Sequence, residues 1–189
     1  MKKVLCFIYN EFADFEIVLV SIAINQAENY KMEFIAYDNS PVKSSCGLTI
    51  IPDKLVSDIS QTDDIEGLII PGGNDRIIKP ELIKLVKKLN EEKKMLAAIC
   101  AGPEFLAKIG VLNGVKYTAS APPEEYKEKK EEDPFPREKY IEDRVVQDGN
   151  IITAQGHAFV DFALTIWDWF NLYDNEKEKK ELKIQFSPK

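Results

Sequence analysis

Histidine is almost missing from this chain of 189 residues: His157 is the only one. Cysteine is sparse as well, with Cys6, Cys46 and Cys100 scattered and no C-x-x-C pair. An odd, dispersed set of thiols with a lone histidine supports neither a disulfide framework nor a Cys/His zinc site. No metal and no cofactor is therefore expected, and free thiols point to a reducing, cytoplasmic setting. Positive charge is in deficit: 25 Lys and Arg face 32 Asp and Glu, for a formal net charge of −7. That balance argues against nucleic acid or an anionic membrane as partner and leaves a small molecule as the expected substrate. Long apolar runs are lacking too. The first, residues 4–9, stops at Asn10-Glu11, short of the core of a signal peptide, and nothing later approaches the roughly 18 apolar residues of a membrane span. There is no internal repeat.

What is present is rhythm. Short apolar runs recur at 4–9, 32–37, 66–70 and 94–99, without the alternation of a half-exposed strand, as expected of strands buried on both faces of a parallel sheet. Helical spacing lies between them. One helix is expected near 12–28, with Phe15, Val18, Leu19 and Ile22 forming its apolar face, and another at 80–94 through Leu82, Leu85, Val86 and Leu89. A last helix is expected at 158–173. The β-α-β alternation predicts a doubly wound, mostly parallel α/β sandwich of one domain, residues 1–173, followed by a charged tail, 174–189. Two interruptions are expected: a short extended excursion at 41–53, and a hairpin at 144–154 turning at Asp148-Gly149. Segment 122–140, dense in charge and proline, reads as a solvated helix or loop, or a lid. In the tail, Leu182, Ile184 and Phe186 alternate with polar residues as a short edge strand would.

Chemistry concentrates at two corners. In "MLAAICAGPEFLAKIG" an apolar strand ends at Cys100 and turns at once into a helix, which places the sulfur at the carboxyl edge of the sheet, beside unpaired helix N–H groups that favour thiolate. Gly102 permits the tight turn and Pro103 suits a first helical position. Cys6, inside the first strand, reads as a small buried hydrophobe. The second corner is Pro71-Gly72-Gly73 at the end of a neighbouring strand, where successive glycines can present backbone N–H groups to an oxyanion. Glu16 sits in the apolar "FEIVLV". There it is either a carboxyl of raised pKa that donates a hydrogen bond to the sulfur, or an acid stabilised at a helix N-terminus.

"AICAGP", preceded by "LIIPGGN" and a glutamate in the first helix, resembles the ThiJ/PfpI family. That family includes the Parkinsonism-associated deglycase-like proteins and is related to class I glutamine amidotransferase domains. The similarity runs through "PVKSS", "IIPD", "VVQDGNIITAQG" and "DFALTI", about residues 2–172. It implies a flavodoxin-like sandwich, a homodimer, Cys100 as nucleophile, Glu16 as its acidic partner, and the N–H groups of Gly73 and Ala101 as the oxyanion site. The activity it implies is glyoxalase, deglycase or amidase-like attack of a thiolate on an electrophilic carbonyl. A redox-sensing or stress-protective protein using the same cysteine is the alternative, and an intracellular cysteine peptidase the third reading.

The chain departs from that family pattern at the expected histidines. Ala101 follows the cysteine, and Ser120 stands where another histidine aligns. His157 instead follows the "TAQG" strand end, in a loop expected to line the pocket, where it is a candidate base or proton shuttle. Cys46 stands where some relatives direct an arginine to the pocket, which opens a transient pairing with Cys100.

Overall fold

In the computed structural model, which describes residues 1–186, the elements follow the expected rhythm. They run β1 (Lys2–Phe7), α1 (Phe15–Gln26), β2 (Tyr30–Ala36), β3 (Val42–Lys43), β4 (Thr49–Ile50), β5 (Lys54–Leu55), β6 (Ile65–Ile70), α2 (Pro80–Glu91) and β7 (Met95–Ile99). The second half adds α3 (Pro103–Ile109), α4 (Pro123–Lys129), β8 (Val145–Asp148), β9 (Ile151–Ala154), α5 (Phe159–Phe170) and α6 (Glu176–Phe186).

Seven strands form one sheet in the order β5-β2-β1-β6-β7-β9-β8, parallel except for the β8–β9 pair. The central strands are apolar throughout because both faces are covered: all five residues of β7 are buried, as are Val4 to Phe7 of β1. One layer packs α1 on α5; the other packs α2 on α3. The chain leaves β1 for β2 in one direction and reaches β6 and β7 in the other, so the winding reverses between β1 and β6. Open sheets of this kind bind ligands at the carboxyl ends of the strands flanking such a reversal.

Several details differ from the sequence reading. The face of α1 turned inward carries Ile17, Val20 and Ile24, whereas Phe15, Val18 and Ile22 are each close to half exposed. This helix is apolar on both sides, so spacing alone does not select the buried side. The hairpin at 144–154 forms, but its turn is Gly149-Asn150, with Gly149 at φ 59° and Asp148 still paired to Ile151. The excursion at 41–53 is the antiparallel pair β3–β4. Segment 122–140 is held down rather than free: Tyr126 and Phe135 are buried, with Phe135 stacked on Tyr117 at 5.4 Å. Its anchors are aromatic rather than aliphatic.

The tail is a helix, not a strand. Leu182 and Phe186 are four apart, a spacing that satisfies both a period of two and one helical turn, so their alternation misled. Phe186 meets Trp167 edge-on at 5.9 Å, and Lys179 and Lys183 both pair with Asp168. Among the described residues no helix is long and apolar enough to cross a membrane.

Candidate active site

The residue after β7 is the centre of the site. Cys100 sits at φ 62°, a left-handed conformation that a non-glycine residue adopts at a cost of about 1–3 kcal/mol. The surroundings impose it: the Cys100 N–H donates to Ala154 O at 2.9 Å, and the Ser120 N–H donates to Cys100 O at 2.8 Å. Gly102 completes the elbow because a Cβ there would lie 2.4 Å from Ile70 O. The sulfur is thereby lifted out of the sheet between the ends of β6, β7 and β9, partly exposed.

Glu16 reaches the same point from α1. The helix starts at Asp14, whose carboxylate accepts from the Phe15 N–H, and Glu16 in its first turn is only 2 % exposed. Its Oε2 accepts the Gly72 N–H at 2.7 Å, while Oε1 is buried with no conventional hydrogen-bond partner. Two glycines press on the sulfur beside it. A Cβ on Gly156 would lie 2.9 Å from Cys100 Sγ and 3.4 Å from Glu16 Oε1, and one on Gly72 would lie 3.0 Å from the same sulfur. Only glycine at both positions leaves the thiol and the carboxyl face to face.

Two acids in one dry corner cannot both ionise near neutrality. Burial lifts the Glu16 carboxyl to about 7, against the help of the Gly72 N–H and the Cys100 contact. Burial, then the charge and hydrogen bond of Glu16, lift the Cys100 thiol to about 12, while the Ala101 N–H and the Ser120 hydroxyl pull the other way. The thiolate expected from the helix terminus is therefore not the resting form. The α3 N-terminus opposes the shift, but burial and the neighbouring carboxylate outweigh it.

The other expected residues fall as follows. The Gly72 N–H is spent on Glu16 and is not free for a substrate. The Gly73 N–H donates to no protein oxygen among the described residues, and the Ala101 N–H is turned to the Cys100 sulfur. His157 is exposed and its side chain, among the described residues, makes no hydrogen bond; its neighbour Gly156 is what faces the thiol. Cys46 is exposed, and the Asp14 carboxylate beside it raises its pKa. Cys6 is wholly buried in β1, and burial pushes its thiol far up. No group of three or more His, Cys, Asp or Glu among the described residues is placed to hold a metal ion.

Two sets of residues escaped the sequence reading. Arg76, three positions past Gly73, donates from Nη1 to Gly73 O, from Nε to Glu104 Oε2 and from Nη2 to Glu125 Oε1, each at 2.7 Å. It clamps the Gly-Gly turn to α3 and α4, and the buried Glu104 also accepts from Tyr126 OH at 2.8 Å. Gln155 is the second, at the end of β9, where its Oε1 accepts from the Ser120 hydroxyl at 2.8 Å; Ser120 enters the sequence reading only as the residue in place of a histidine. The signal for both was an uncommon charge or amide at a strand end, beside residues already singled out.

An open α/β sandwich with a strained cysteine at the carboxyl edge, an acid facing it and a Gly-Gly turn alongside defines a class of cysteine-centred α/β proteins. The chain belongs to the DJ-1/PfpI family, whose family model matches residues 2–168. It is 29% identical over 187 residues to YdeA of Bacillus subtilis, named an uncharacterized protease, covering 95% of this chain and 89% of that one. It is 26% identical over 156 residues to a deglycase of Pyrococcus horikoshii, covering 81% of this chain and 89% of the relative. The crystal structure of a DJ-1 superfamily protein from Agrobacterium tumefaciens superimposes with a TM-score of 0.82 and 30% identity, over 98% of this chain and 97% of that one.

The raised Glu16 pKa carries a stability signature. The folded state holds a proton up to about 7 that a free carboxyl releases near 4.5, so this contribution is complete below 4.5 and is lost as pH rises through 7. Glu16→Gln keeps an acceptor for the Gly72 N–H and removes the titration. Its unfolding midpoint relative to wild type should climb across that interval in calorimetry at fixed ionic strength, and a constant difference would count against a buried proton on Glu16.

Proposed function

We propose that the protein is a cysteine-dependent enzyme acting on small electrophilic carbonyls, of the glyoxalase or deglycase-like or amidase-like type. The observation that supports this best is the buried, unpartnered Glu16 Oε1 set against the Cys100 sulfur. As a carboxylate it takes the thiol proton; the sulfur then adds to the carbonyl carbon, the C=O π pair moves to oxygen, and the proton returns to that oxygen to close a hemithioacetal. In this reading the unpaired Gly73 N–H, with the Ala101 N–H that otherwise faces the sulfur, holds the oxyanion. A general base with a pKa near 7 is matched to work at neutral pH.

Glyoxal or methylglyoxal consumption tests this. Cys100→Ala should abolish it and Glu16→Gln should slow it about 100-fold or more, the usual contribution of a general base. The wild-type kcat/KM should rise with pH through about 7, and that limb should vanish in Glu16→Gln. Equal rates for wild type and Cys100→Ala would sink the reading. A peptidase reading is weaker, because the exposed His157 has no bond to the thiol and amide hydrolysis needs an acid for the leaving amine.

A second reading is favoured by the same orphan oxygen. Protonated Glu16 can donate from Oε1 to an oxygen on oxidised Cys100, where thiolate has attacked hydrogen peroxide, broken its O–O bond, released hydroxide and become a sulfenic acid. Mild peroxide should then add mass first to the Cys100 peptide; prior oxidation of the exposed Cys46 would refute a protective role centred on Cys100.

The expected second copy also has a physical basis. Val18 and Ile22 on α1 and Leu48 beside β4 line one shallow apolar surface, each about half exposed. Such faces mark protein contacts. Sedimentation equilibrium should show a dimer that Ile22→Lys splits, and a monomeric wild type at micromolar concentration would exclude it. The three free thiols fit a cytoplasmic site of action.

A further inference from the structure

We infer that Ser120 and Gln155 are positioning residues: they hold Gly156 as a fixed wall beside the Cys100 sulfur and so restrict the thiol to electrophiles unbranched at the carbon it attacks. The inference rests on the reading of Cys100 as the reactive group and names what sets its steric selectivity.

The sulfur stands between two glycines. A Cβ on Gly72 would lie 3.0 Å from Sγ, and one on Gly156 would lie 2.9 Å from it. Each wall is backbone, so its place depends on what holds the peptide. Gly72 is held by α1 and the loop before it: its N–H donates to Glu16 Oε2 at 2.7 Å, and its carbonyl accepts from the Ala13 N–H at 2.9 Å. Gly156 lies past the paired residues of β9, and its N–H donates to Ser120 Oγ at 2.9 Å. Ser120 is itself tied to the cysteine, because its own N–H donates to Cys100 O at 2.8 Å. One residue thus fixes the wall relative to the elbow that carries the sulfur.

Gln155 fixes Ser120 in turn. Ala119 O, 3.1 Å from the Gln155 amide, can only accept, so Nε2 faces it. The same Nε2 lies 2.7 Å from Thr118 Oγ1 and 3.0 Å from Tyr140 OH. Oε1 therefore faces Ser120 and accepts its hydroxyl proton at 2.8 Å. With that proton committed, a lone pair of Ser120 Oγ is turned to the Gly156 N–H. An extra methyl on the carbon under attack must then press on a backbone that cannot swing aside as a side chain would, a misfit of the kind that overpacks a core. On the carbonyl reading, the same slot admits an aldehyde, with hydrogen on the carbon attacked, ahead of a ketone.

Alkylation by iodoacetamide and by 2-iodopropanamide, which differ by one methyl on the reacting carbon, tests the slot. Rates are read by mass on the Cys100 peptide, with exposed Cys46 as the reference for the intrinsic cost of branching. Both reagents consume thiolate, so a change in Cys100 ionisation divides out of their ratio. Beyond the Cys46 penalty, wild-type Cys100 should disfavour the branched reagent by about tenfold, the worth of one methyl-sized misfit. Ser120→Ala should remove most of that excess, and Gln155→Leu should reduce it. Amide exchange followed by NMR should show the Gly156 N–H losing protection in Ser120→Ala while the Gly72 N–H keeps its own. No excess in wild type, an excess unchanged in either variant, or an equal loss of protection at both glycines would overturn the inference. The carbonyl reading fails separately: a protein that consumes no glyoxal but rejects the branched reagent keeps the slot, whereas an active enzyme without that rejection keeps only the function.

Discussion

A carboxyl and a thiol facing each other in a corner too dry for two charges is the constraint around which this molecule is arranged. Glu16 can hold that position only if α1 is pinned at its start. Asp14 does this twice, accepting from the Phe15 N–H and, at 2.6 Å, from the Ser44 hydroxyl beyond β3. Cys100 can meet it only from a left-handed elbow, and the elbow exists only because Gly102 lets two strand ends approach. Glycines at 72 and 156 then keep every side chain out of the gap. The stabilising core lies elsewhere, in the fully buried strands, and part of its free energy offsets the strain and desolvation stored here.

A second arrangement keeps the three corners in register. The Arg76 guanidinium uses all of its fork on the Gly73 carbonyl, Glu104 and Glu125. A charge pair this buried contributes little net stability compared with apolar packing. Its effect is geometric: Gly73 O is held on one side of the turn, Gly72 O, whose peptide carries the candidate Gly73 N–H donor, accepts from the Ala13 N–H at 2.9 Å, and α4 is tied to the helix that begins at the elbow. The charged segment 122–140 is therefore part of the site's frame, although its composition resembles a solvated surface.

Much of this was legible in sequence. The buried strands announced themselves because a two-sided core needs unbroken apolar runs, and the elbow because strand-Cys-Ala-Gly-Pro-helix fits few other backbones. Glu16 was legible as an acid out of place. The inward face of α1 was not, since both of its faces are apolar and only the mating surface decides between them. The tail helix was hidden by an i, i+4 pair that also alternates. The resting state of Cys100 was misread because helix-terminus chemistry is local in sequence, whereas the carboxylate and the burial that outweigh it come from other elements. Gln155 and Arg76 were invisible for the same reason: each acts through partners distant in the chain.

The missing histidine bears on the kind of reaction this site can run. With Ser120 in one expected place and His157 exposed, the proposed reaction has a single group for proton traffic at the sulfur, Glu16, which takes the thiol proton and returns it to an adduct oxygen. Addition to an aldehyde-like carbonyl needs no more than that. Hydrolysis of an amide needs a second delivery, to a departing nitrogen, and then activation of water against the thioester. A lone carboxyl can serve those steps in turn only if product leaves and water enters between them. On the proposed reading, a single carboxyl at the sulfur favours reversible carbonyl addition over peptide cleavage, whatever activities accompany the same fold elsewhere.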